Sequence, residues 1–132
     1  MGTNYYLRRD ACQHCGRSDD ERHIGKSSAG WCFSLHVIPE EGINNLDDWK
    51  REFARPNARI FNEYHEEITV ADMLGIITDR EWGNPAAHRR PSYLQANHAT
   101  EGPNGLMRHQ VDGVHCIGHG EGTWDLTIGE FS

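Results

Sequence analysis

The chain has 132 residues, the length of one domain, with 36% hydrophobic residues and 14 glycines, so it can bury a modest core and is not a disordered polypeptide. Lys and Arg number 13 against 20 Asp and Glu, and the resulting charge of −7 argues against general duplex nucleic-acid binding, which needs clustered cations. An acidic inhibitor that mimics nucleic acid remains compatible with that charge.

The opening MGTNYYLRRD has no apolar leader, and no run approaches the roughly 18 apolar residues of a membrane helix. The expectation is a soluble cytoplasmic protein with no membrane partner. In that reducing setting, four cysteines that include a Cys-x-x-Cys pair point to metal or redox chemistry before a disulfide framework. Protonating all nine histidines would carry the net charge from −7 to +2, so acid should alter this protein more than most.

Residues 3–7 predict a short strand, followed by a tight knuckle over Cys12-Gln13-His14-Cys15-Gly16-Arg17 and an acidic, solvated loop over 18–21. Trp31, Phe33, Leu35 and Val37 alternate with polar residues, as a strand with one apolar face does, and Pro39 ends it. Asn45 can cap a helix carrying Leu46, Trp49 and Phe53, which Pro56 stops. Residues 60–62 and 67–69 suggest a hairpin, and Thr69 through Asp72 a capping box for a helix with Val70, Met73, Leu74 and Ile77 on one face. The stretch 83–113, with Pro85, Pro91 and Pro103, predicts loops. Residues 111–117 and 123–128 predict two final strands, with Trp124, Leu126 and Ile128 pointing inward. The fold class expected is α+β: a small antiparallel sheet with two helices, stapled by a zinc knuckle, as one zinc-binding domain over 1–132.

Two thiolates at i and i+3 on a knuckle can hold one ion at about 2.3 Å, which makes Cys12 and Cys15 the primary candidates. A tetrahedral site needs two more ligands. Pairing residues 21–26 with 31–37 places His23 near Ser34, with Cys32 and His36 as diagonal neighbours, and His36 is the preferred fourth ligand. Cys32 is the competing choice. The alternative for the cysteine pair is a redox dithiol, which normally sits at the start of a helix in a βαβ setting.

A second candidate site comprises His115, Cys116 and His119, with His115 and His119 as chelators or Cys116 as a nucleophile beside a histidine; the plainer and favoured reading is a buried cysteine with exposed turn histidines. Gly25-Lys26-Ser27 imitates a phosphate-binding loop, but Asp20 stands where that motif needs glycine, so nucleotide binding is rejected. His88, Arg89, Arg90 and Tyr93 suit an anionic partner or a solvated basic loop. Glu63, Glu66 and Glu67 predict an exposed acidic face.

The segments GTNYY (2–6), CQHCGR (12–17), HIGKSSAGWCFSLHV (23–37) and HGEGTWDL (119–126) resemble a family of small uncharacterised proteins encoded by tailed phages. The family has no assigned activity. The resemblance therefore implies a phage accessory protein of the host cytoplasm and assigns no catalytic residue.

The function expected is a zinc-stabilised protein-interaction module, a phage factor that binds or inhibits a host protein, and an enzyme is disfavoured. The alternative is a metal-dependent hydrolase or nuclease built on His115, His119 and a carboxylate, Asp125 or Glu121, around an ion with an open position.

Overall fold

The computed structural model describes residues 2–84, 86, 90–111 and 115–132. Strand β1 (Gly2–Arg9) pairs antiparallel with both β2 (Asp20–Ser28) and β4 (Ala58–Asn62), so the chain's first element is internal to the sheet. β2 continues to β3 (Phe33–Val37), and β4 takes the two-residue β5 (Glu67–Ile68) on its outer side. On the far side β3 pairs in parallel with β9 (Trp124–Ile128), which also pairs antiparallel with β8 (Cys116–His119). The seven strands run β5-β4-β1-β2-β3-β9-β8.

Alternation assigns the two faces. Tyr5 and Leu7 of β1, Ile24 of β2, Phe33 and Leu35 of β3 and Ile60 of β4 join one core cluster. Two helices cover them. Helix α1 (Leu46–Phe53) starts at Asn45, whose Oδ1 accepts the Asp48 amide at 2.9 Å, and it buries Leu46, Trp49 and Phe53. Helix α2 (Val70–Thr78) starts at Thr69, whose hydroxyl accepts the Asp72 amide at 3.1 Å, and it buries Met73 and Ile77. Trp49 is fully buried, and its indole N–H donates to the His36 carbonyl at 2.8 Å, tying α1 to β3.

The opposite face carries Ser34 and His36 from β3 and, in register with them, Asp125 and Thr127 from β9. A two-stranded ribbon, β6 (Ala99–Glu101) with β7 (Met107–His109), lies against its β9 end. The Cys32 amide donates to Met107 O and the Met107 amide to Gly30 O, both at 2.8 Å, and the Trp31 and His109 rings pack with centroids 4.8 Å apart.

Several sequence expectations change. The sheet has seven strands with one parallel pair, and three helices are described, the third being α3 (Pro91–Ala96) inside the stretch expected to be loop. Asp20 and Glu21 belong to β2 because Arg9 and Arg8 pair with them in register, and Arg8 also forms a salt bridge with Glu21. The β2–β3 register is Gly25 to Leu35 and Lys26 to Ser34, three residues away from the expected pairing of His23 with Ser34. β2 is longer than expected because it follows β1 out to Ser28. In β9, Trp124 and Leu126 pack against the core cluster as the alternation expects, but Asp125 and Thr127 on the other face are buried as well. The cause is the ribbon, which covers the polar side of β9. No described helix is long and apolar enough to cross a membrane.

Trp49→Ala removes the largest fully buried side chain and the bond to His36 O. It should cost about 3–5 kcal/mol in urea unfolding, and Trp49→Phe distinctly less.

Candidate metal centre

Asp125 of β9 has 0% exposure, and four donors converge on its two oxygens. Oδ1 receives Arg108 Nε and His119 Nδ1, each at 2.9 Å, and Oδ2 receives the His109 amide at 2.9 Å and His109 Nδ1 at 3.0 Å. Burial alone would raise its pKa. The His109 side chain and amide, Arg108 and His119 outweigh it and hold the carboxyl below its ordinary value. Arg108 also donates to the Gly122 and Trp124 carbonyls, so the guanidinium is locked in place.

Cys116 and His119 sit on the edge strand β8, where the pairing to β9 slips between Cys116 and Gly118. Donor atoms of Cys116, His119 and Asp125 all lie within 4.8 Å of one another, and this is the sole such group of three or more His, Cys, Asp or Glu among the described residues. A thiol, an imidazole and a carboxylate are a competent donor set for one metal ion. The Cys116 thiol is buried, directed at the Gly118 and His109 carbonyls, and burial raises its pKa. That keeps it protonated and opposes the nucleophile reading, whereas an ion that displaced the proton would find the ligand in position.

Two of the three residues of the second candidate site, Cys116 and His119, are therefore brought together, with changed membership around them. His115 is exposed, and what it contributes is its carbonyl, which accepts the Ile128 amide at 2.9 Å. Glu121 is exposed as well. Asp125, the carboxylate of the hydrolase alternative, is the residue that joins Cys116 and His119. Arg108 and His109 were not anticipated, since a three-residue strand inside a Pro- and Gly-rich stretch has no periodic signal.

The knuckle forms as expected. The Gly16 amide donates to Cys12 O at 2.7 Å, the Cys12 amide to Arg17 O at 2.8 Å, and Gly16 takes φ +73° to let the chain turn back. The Cys15 and His14 amides and the Cys15 thiol donate to the Cys12 sulfur and, with Arg59 nearby, lower its pKa. Both thiols are exposed.

The structure does not bring the knuckle to His23 and His36. His23 pairs with Tyr6 in the middle of β1, and three strand residues, about 10 Å, precede Arg9 before the knuckle begins. The four residues thus form two separate pairs, which corrects the four-ligand site. Cys32 is buried beside Gly102, its amide bonded to Met107 O, and burial, with Asp125 nearby, pushes its pKa up to about 12.

His23 and His36 do meet, Nδ1 to Nδ1 at 3.2 Å. Burial pushes His23 down to about 4, with His36 and Lys26 adding to it, and burial lowers His36 too. Gly25-Lys26-Ser27 lies within β2, with no helix following. Of the basic group, His88 and Arg89 lie outside the described residues, and Arg90 is the exposed residue before α3. Glu63, Glu66 and Glu67 are exposed, bonded to the Asn4 amide, Asn62 and Arg59.

No family model, curated protein or solved structure matches this chain.

Two outcomes follow from this burial. Timed alkylation of the native chain should label Cys12 and Cys15 at least tenfold faster than Cys32 and Cys116, with all four equal in denaturant. Because the unfolded chain protonates His23 near pH 6.5 and the folded chain only near 4, metal-free stability should be complete above 6.5 and fall across that interval. After solvent screening the loss is about 1–2 kcal/mol, or about 5 °C in Tm, and His23→Gln should flatten the profile.

Proposed function

We propose that this chain is a zinc-stabilised protein-interaction module whose metal centre is Cys116, His119 and Asp125. One observation carries the structural role: two of the three donors, Cys116 at 4% and Asp125 at 0% exposure, are closed off from any substrate. A closed thiolate and imidazole site suits zinc, and its binding energy becomes folding energy. The ion would pin edge strand β8 to β9 beneath the ribbon, with His109 holding the second carboxylate oxygen.

The net charge of −7 and the exposed Tyr64, Val70, Val111 and Ile117 support a protein partner over a nucleic acid. In line with the phage resemblance, the partner proposed is a host protein that this chain binds or inhibits in the host cytoplasm. The hydrolase reading draws on the three-ligand count and on the side chains of His119 and His109, 27% and 39% exposed, which reach solvent.

Metal analysis of the purified chain separates these readings. Zinc at about one per chain should be held at Asp125, and chelation should lower Tm by about 10 °C. Cys116→Ser and His119→Ala should each remove that zinc, and no phosphodiester, phosphoanhydride or peptide hydrolysis should accompany it. Zinc content unchanged from wild type in both variants would overturn the assignment, and zinc-dependent turnover lost in both would make the hydrolase the better account.

A further inference from the structure

On the face away from the helices, β2 and β3 hold His23 and His36 as a pair whose Nδ1 atoms are 3.2 Å apart. Two imidazole nitrogens on one tetrahedral ion, each at about 2.0–2.1 Å, stand roughly 3.3 Å from each other. The spacing is that of two ligands on a single ion.

The surroundings point the same way. His23 Nε2 donates to Asn4 Oδ1 at 2.8 Å, which leaves Nδ1 as the ring's lone pair and fixes the ring plane, as the outer partners of metal-bound histidines do. The Asn4 amide nitrogen lies on the Glu63 side, 3.5 Å from Oε1, and this settles which atom faces His23. His36 has two backbone acceptors: Nδ1 lies 3.0 Å from His23 O, and the Gly129 carbonyl also takes a ring proton. Moving the proton to the Gly129 side frees His36 Nδ1 without stranding it.

Both rings line a cavity of about 380 Å³ together with Tyr6, Glu130 and Phe131. Phe131 sets its ring edge-on to both imidazoles, with centroids at 4.7 and 5.1 Å, and walls off one side. Thr127, beside His36 in the β3–β9 register, has a buried hydroxyl with no hydrogen-bond partner among the described residues.

We propose that His23 and His36 form a second metal site, separate from the Cys116 centre and from the Cys12–Cys15 knuckle, which binds a divalent ion of the Zn²⁺, Ni²⁺ or Cu²⁺ class through its two Nδ1 atoms. Imidazole ligands suit these ions, and the remaining positions face the cavity, open to water or a small anion. Asn4 is the positioning residue.

The test is a Zn²⁺ titration of the wild-type chain followed by the ring-nitrogen NMR signals of the histidines. Coordination should move the Nδ1 resonances of His23 and His36 together, and the same shift should persist in Cys116→Ser, which removes the other centre. Binding at this pair should weaken at least tenfold in His23→Gln and in His36→Gln, and about 10- to 100-fold in Asn4→Ala. Nδ1 signals that stay in place at excess Zn²⁺, or a shift in only one ring, would overturn the proposal whatever happens at Cys116. The wild-type spectrum decides even if a variant fails to fold.

Discussion

A fully buried carboxylate can keep its charge only where donors reach it, and Asp125 is the point on which the C-terminal half of this structure turns. Its partners come from separate parts of the chain: Arg108 and His109 from β7, and His119 from β8. Each bond adds to the few other ties of a short element, such as the Met107 bonds to Gly30 and Cys32. The ribbon has three-residue strands and could not stand alone, and β8 is a slipped edge strand. Removing one partner leaves a charge stranded, whereas an apolar replacement of the whole network could leave stability almost unchanged. The network therefore specifies an arrangement, and its cost is justified by what that arrangement gathers, namely Cys116 beside an imidazole and a carboxylate.

The two faces of the sheet divide the labour. One is an ordinary apolar core under α1 and α2, continuous from Tyr5 to Ile77. The other carries the chemistry, with Asp125 under the ribbon at one end and the His23–His36 pair near the middle. Trp49 connects them: its ring fills the core while its N–H holds the carbonyl of His36, whose imidazole points to the other side. The positions of both imidazoles are thus set by packing on the face they do not occupy.

What could be read from the sequence was local. Asn45 and Thr69 each satisfy an amide three residues away, so α1 and α2 follow from short-range chemistry. The turn at Cys12–Arg17 is closed by its own amides and by Gly16, with Arg8 reaching in to the Gly16 carbonyl. Apart from helix α3, the differences are non-local. His23 was placed opposite Ser34 because nothing in 21–37 reveals that β2 must run to Ser28 to pair with Gly2. The same ignorance of register joined the knuckle to the histidines. Alternation places Asp125 on the face opposite the core, as found, without saying that both faces of an internal strand are covered. The clue available was an Asp with His at both 119 and 109.

The parallel pairing of β3 with β9 bears on how the chain acquires its structure. β3 ends at Val37, and the partner of its free edge does not begin until Trp124. On the ribosome, β1 to β4 and both covering helices can assemble while that edge of β3 is still bare, with its amides and carbonyls open to any extended segment. β9 must then enter beside β3 and accept β8 on its other flank, a late closure over a long loop of the kind that slows folding. The stage most exposed to misassembly is the wait for these five residues, when a nascent chain is open to strand exchange with its neighbours on the same message.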